Sequence, residues 1–187
     1  MKLRPPRPLP TGIVAVVLTA ALLTASPLAG QQASGRDGLW LSAGAGTGFD
    51  QSMRWGRVGY LRLGTTLGPH LLVGVQGILF DAAVGGEGWK TRSNLTASVL
   101  AYPSETGGFF FKAGVGYASD EYRRVSDIDA WITESLPGVN LGLGHDLRLG
   151  DGNLYLTPNV DLLLGMFEDG FDNPDASLVF TLGLGFR

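Results

Sequence analysis

From Ser177 to Arg187 the chain alternates: Leu178, Phe180, Leu182, Leu184 and Phe186 share one face of an extended strand, and Val179, Thr181, Gly183, Gly185 and Arg187 share the other. A period of two leaves no room for a helix, and the pattern recurs along the chain. Seven further segments, each about ten residues long and bounded by turn formers, behave alike: about Gly38–Gly48, Arg57–Leu67, Leu71–Asp81, Arg92–Tyr102, Phe109–Ser119, about Val139–Leu149 and Leu154–Phe167. An all-β chain of eight strands is expected. Eight is even, so an antiparallel up-and-down sheet can close into a barrel with both ends on one side.

The N-terminus is of another kind. Lys2, Arg4 and Arg7 precede an apolar run from Ile13 to Leu23, followed by small residues up to Gly30, which predicts a cleaved secretory signal peptide over 1–30. The run is about 11 residues long, too short for a helix that must cross roughly 30 Å of hydrocarbon. Ser26, Ala29 and Gly30 are all small enough for the cleavage site, and no cysteine follows to carry a lipid anchor. A short segment, 31–37, then leads into a barrel over 38–187.

Composition narrows the chemistry. Removing the three leader cations takes the formal net charge from −3 to −6, which argues against a nucleic-acid partner. With no cysteine there is no disulfide, no thiolate and no Cys-ligated metal.

The connections suggest a topology. Gly68-Pro69-His70, Pro103 to Gly108 and Gly150 to Asn153 are short and rich in turn formers, and the segments around Asp50, Gly86, Asp127 and Gly170 are expected to be longer. The longest expected loop, about Asp120 to Leu136, carries Arg123, Arg124, Asp127, Asp129, Trp131, Ile132 and Glu134. Short turns on the periplasmic side and long loops outside are the asymmetry of a membrane barrel.

The two faces decide which side meets lipid. Opposite Phe109, Phe111, Ala113, Val115 and Tyr117 lie Phe110, Lys112, Gly114, Gly116 and Ala118. Glycines dominate the equivalent faces of the other strands, with a few charges such as Arg62, Asp146, Arg148 and Asp161, where a solvated face would be far richer in Lys and Glu. The glycine face is therefore assigned to a narrow lumen and the apolar face to lipid. Closure of the sheet satisfies the strand N–H and C=O groups without water. Aromatic residues near strand ends, Phe109, Tyr117, Phe167, Phe180 and Phe186, fit an interfacial girdle, and His145 is read as a girdle residue.

Inside, Lys112 and Asp146 are expected at similar depth and are predicted to pair, while Arg62 and Asp161 are expected to meet across the lumen, with Gln76, Asn94, Thr96, Tyr155 and Asn159 filling leftover hydrogen bonds. Eight strands enclose a space just wide enough for side chains to fill, so a structural plug is expected, with a gated path for small solutes as the alternative.

Other motifs carry little. Gly44-Ala45-Gly46-Thr47-Gly48 lies inside a strand pattern and opens no helix, so no dinucleotide site is expected. Asn94-Leu95-Thr96 matches a glycosylation acceptor in the wrong context. Asp127 and Asp129 lack the further oxygen ligands of a calcium loop, and neither a metal nor an organic cofactor is expected.

Phe109 to Tyr117, Gly142 to Gly150 and Leu154 to Pro158 resemble the central strands of the small outer-membrane β-barrel proteins grouped with OmpX, OmpW and the barrel half of OmpA. The resemblance covers the whole mature chain and concerns architecture rather than activity. It implies a bacterial outer-membrane location, contact with membrane lipid and lipopolysaccharide, and reading of a terminal strand ending in Phe186 by the assembly machinery. Members serve as adhesins, envelope stabilisers, narrow channels or, rarely, lipid A enzymes. The barrel-type deacylases need a Ser at short spacing from a His, and His145-Asp146-Leu147 provides none, so no catalytic residue is expected. The expected role is structural or surface-interacting through external loops, with Trp131 and Ile132 as its best anchor and the extracellular partner unknown; a narrow channel and a soluble secreted ligand-binding barrel are the alternatives.

Overall fold

The computed structural model describes residues 38–84, 88–124, 131–167 and 170–187. The expected leader 1–30, the segment 31–37 and the loop acids Asp127 and Asp129 lie outside the described residues. The strands are β1 Leu39–Asp50, β2 Trp55–Gly68, β3 Leu71–Val84, β4 Gly88–Ala101, β5 Phe109–Arg124, β6 Trp131–His145, β7 Leu147–Arg148, β8 Leu154–Phe167 and β9 Gly170–Phe186. The two-residue β7 continues β6 past Asp146, whose N–H turns away to the Gly108 carbonyl at 2.9 Å. There are thus eight walls, as expected.

Apart from β6 and its continuation β7, each strand pairs antiparallel with its sequence neighbour, and two further ladders close the ring. β1 meets β9 from Leu41↔Phe186 to Asp50↔Ser177, and β6 meets β8 from Gly138↔Gly165 to Gly144↔Asn159. No long sheet edge is left open, so the ladder groups of the wall need no water. The end that carries Phe186 and the turn at Pro69 is called the near rim below, and the end at Asp50 the far rim.

The period of two sorts the side chains as expected. Leu61, Leu79, Val115 and Leu182 point outward and are 57%, 57%, 66% and 53% exposed, while Trp40, Arg62, Phe80, Phe110 and Lys112 are buried in the lumen. An exposed surface of this kind belongs in hydrocarbon. From Phe109 to Tyr117, β5 rises about 27 Å along its own axis, or about 20 Å of depth at the usual ~40° tilt, close to the height of a bacterial barrel's apolar band. The exposed charges Arg57 and Asp81 pair with each other at 3.1 Å toward the far rim, where Trp55 and Trp89 are also exposed.

One expectation fails at the far rim. The segment around Asp120 to Leu136 is not a long loop: β5 and β6 stay paired from Phe109↔His145 out to Arg123↔Trp131. Beyond the apolar band the ladder continues with polar residues on it, because backbone bonding between two strands does not require an apolar face. Trp131 and Ile132 therefore stand in β6, and the asymmetry between the rims lies in how far the hairpins project, not in loop length.

Glycine at two lumen positions makes room for one ring. A Cβ at Gly44 would lie 2.5 Å from Tyr60 Cε1, and one at Gly183 would overlap the Tyr60 hydroxyl. Gly44 is the register partner of both Tyr60 and Gly183, so the Tyr60 ring lies across bare backbone on β1 to reach β9.

Candidate functional site in the barrel lumen

Alternate residues of the strands, even-numbered from β1 to β6 and odd-numbered in β8 and β9, converge on the lumen, which is filled in successive levels. At the near rim Asp146 is the hub. Tyr102 Oη donates to its Oδ2 at 2.6 Å, Thr157 Oγ1 donates to its Oδ1 at 2.8 Å, and the Arg187 guanidinium pairs with Oδ2. Arg187 lies over the Tyr155 ring, 4.9 Å from its centroid. Above this hub Trp40, Leu72, Leu100, Tyr102 and Phe110 form an apolar cluster.

The middle level is polar. Lys112 on β5 pairs with Asp161 on β8 at 2.5 Å, reaching across β6. It can do so because Gly142, the register partner of both, has no side chain in the way. Arg62 lies 4.4 Å over the Tyr60 ring and donates to Asn159 Oδ1 at 3.3 Å and Ser42 Oγ at 3.5 Å. Beside them Gln76, Asn94 and Asn140 are buried with both ends of their amides unpartnered by protein atoms.

A second apolar cluster, Val58, Tyr60, Ile78, Phe80, Ala82, Leu163 and Val179, separates this level from a charged one nearer the far rim. There Arg92 makes a two-pronged contact with Asp120, with Nε–Oδ1 and Nη2–Oδ2 both at 2.7 Å. Lys90 Nζ lies 2.9 Å from Asp120 and 2.6 Å from Asp175, Arg92 also pairs with Asp175, and Arg92 Nη1 donates to Ser177 Oγ at 2.9 Å. Two cations face two anions, all nearly dry. At the far rim Asp50 caps the turn to β2, accepting from Ser52 N at 2.9 Å and Arg54 Nε at 2.8 Å. Burial pushes the Asp50 carboxyl up, but the side-chain and backbone bonds from Arg54 outweigh it and hold the carboxyl below the usual carboxylate range.

Several sequence expectations are corrected by this arrangement. Lys112 and Asp146 do not pair: Phe109 is opposite His145, so Lys112 is opposite Gly142 and Asp146 falls below the start of β5. Arg62 does not reach Asp161, which Lys112 occupies. Arg148 is not in the lumen; it is exposed at the near rim and donates to the carbonyls of Asp151 and Gly152 at 2.8 and 3.0 Å. Of the residues missed in sequence, Arg92 stands at the first position of an expected strand, and Lys90, Asp120 and Asp175 continue the inward parity beyond the expected strand ends. Strand parity alone, extended past the apolar band, would have found them. Among the described residues no group of three or more His, Cys, Asp or Glu is placed to hold a metal ion.

No protein-family profile matches the chain, and no curated protein matches it in sequence. Solved structures do match in fold. Neisserial surface protein A superposes with a TM-score of 0.61 at 10% identity, covering 84% of this chain and 99% of that one. OprG from Pseudomonas aeruginosa gives 0.54 at 11% identity, covering 79% and 94%, and the attachment invasion locus protein Ail of Yersinia pestis gives 0.51 at 12%, covering 79% and 96%. The chain thus has the fold of the small eight-stranded barrels of bacterial outer membranes, and its exposed apolar band is suited to that membrane.

Proposed function

We propose that this chain is a non-enzymatic integral protein of the bacterial outer membrane, with a structural or surface-interacting role exercised at its far rim and a lumen plugged by its own side chains. The plug reading rests on one observation above all: Lys90 and Arg92 on β4 share carboxylates with β5 and with β9 on the opposite wall. A solute would have to break several dry ion pairs at once and then pass two apolar clusters. The surface role is supported by the projecting hairpins and by the aromatic side chains exposed there, Trp55 at 62% and Trp89 at 46%, which suit contact with lipopolysaccharide or with a partner outside the cell. Trp131 and Ile132, at the outer end of β6, belong to the same proposed surface. At the other end Phe186 is exposed on the lipid face of β9, which suits its reading by the assembly machinery.

Purified, refolded protein in planar lipid bilayers tests the plug. The expected result is a silent membrane. Reproducible unitary current steps would instead establish the narrow-channel reading.

A further inference from the structure

We propose that the lower lumen holds one small inorganic anion of halide type, bound between Arg62, Trp40 and Arg187. Among the described residues the buried cations Lys90, Arg92, Lys112 and Arg187 each have a carboxylate within ion-pair distance, and Arg62, 2% exposed, has none. Its hydrogen-bond partners, Ser42 and Asn159, are neutral and sit at the long end of the range. A guanidinium cannot shed its proton to escape burial, so a dry Arg without a counterion is strongly disfavoured.

Geometry supplies the second observation. Arg62 lines a cavity of about 10 Å³, room for one small sphere, together with Trp40 and Arg187. Each of the three keeps a buried N–H donor with no protein acceptor: Arg62 Nε, Trp40 Nε1 and Arg187 Nη1. Three residues that line one small space each hold an unused donor, and such a set calls for an acceptor rather than a cation. Asp146 also lines the cavity, but both its oxygens are engaged, Oδ1 by Thr157 and Oδ2 by Tyr102 and Arg187. Among the side chains of the lining, Arg62 and Arg187 are positive and Asp146 negative, which leaves one net positive charge. A monatomic anion matches the charge and the donor set together; a water molecule fits the space more readily but leaves Arg62 without a counterion.

The test uses the full barrel refolded in detergent micelles at constant ionic strength, with gluconate replaced stepwise by chloride or bromide. The expected result is a saturable rise in the thermal unfolding midpoint, equivalent to about a tenfold gain in the folding equilibrium constant at a halide concentration ten times the Kd. Arg62→Met should abolish the halide dependence, and Trp40→Phe should shift it to higher concentration; if Arg62→Met fails to refold, Trp40→Phe carries the test together with broadening of the chloride magnetic-resonance line by the wild-type barrel. Equal midpoints in all three salts with no line broadening would overturn the proposal in favour of a bound water. A halide dependence that survives Arg62→Met, or is unmoved by Trp40→Phe, would place the effect elsewhere and overturn it equally.

Discussion

Arg92 on β4 and Asp175 on β9 are ion-paired across the full width of the barrel, each four walls from the other in either direction round the ring. Together with Lys90 and Asp120 they tie one side of the cylinder to the other near the far rim. Asp175→Ala leaves two buried cations sharing one carboxylate. The expected loss is about 3 to 5 kcal/mol of unfolding free energy, measured by urea titration in lipid vesicles. A loss below 1 kcal/mol, the scale of an exposed pair, would mean that the cluster is solvated.

Lys112→Ala should strand Asp161 and cost about 3 kcal/mol or more. A double-mutant cycle makes this specific. Lys112 and Asp161 should show a coupling of about 1 to 3 kcal/mol, and Lys112 with Asp146 close to none. The reverse pattern would restore the pairing suggested by the sequence and refute the observed register.

Gly142 is the residue over which that pair closes. A Cβ there would overlap Asp161 Oδ1 and lie 2.8 Å from the Val160 carbonyl and 3.1 Å from Lys112 Cε. Gly142→Ala is expected to cost about 1 to 3 kcal/mol, because the carbonyl belongs to the wall and cannot step aside. An unchanged urea midpoint would show that the wall yields there.

At the far rim, Asp50 links stability to pH. Its folded-state pKa lies below the unfolded value, so its contribution is fully present above the unfolded carboxylate pKa of about 3.9 and is lost as pH falls through the folded value. The stability difference between wild type and Asp50→Asn should be constant near neutrality and shrink at acid pH. A difference that grew on acidification would contradict the Arg54-bonded carboxylate.

On the outer face, Val115→Arg should cost about 2 to 4 kcal/mol if Val115 lies near the bilayer midplane. The same substitution at Thr47, nearer the far rim, should cost less. Equal and small costs at both sites, read from vesicle unfolding, would argue that neither position meets hydrocarbon.

Strand number and the inward and outward faces could be read from the sequence because both depend only on a period of two, which Leu178 to Phe186 and Phe109 to Tyr117 display without interruption. Register is another matter. Which residue of β6 lies beside Lys112 is set by the turn between β5 and β6 and by the stagger of the whole ring, and no local pattern encodes it; position within the two segments suggests Asp146 for Lys112, whereas the register puts Gly142 beside it and Asp161 beyond. Strand ends were drawn too short for a related reason. Past the apolar band the contrast between faces fades, so Lys90, Asp120 and Asp175 fall outside the expected strands and Arg92 stands at the very start of one, although all four point inward. Arg148 shows a different limit: Asp146 interrupts the wall between β6 and the two-residue β7, and Arg148, although paired with Tyr155, is exposed at the near rim rather than inward.

The central claim is a closed barrel embedded in the outer membrane through its apolar face. Gel mobility of the unboiled and boiled protein, after separation of inner and outer membranes, tests it most directly. The account predicts that the chain sediments with the outer membrane and that the unboiled form migrates as a compact species which boiling converts to the unfolded one. Protein found soluble in the periplasm, with the same mobility before and after boiling, would contradict it and turn the apolar face into a surface that no lipid covers.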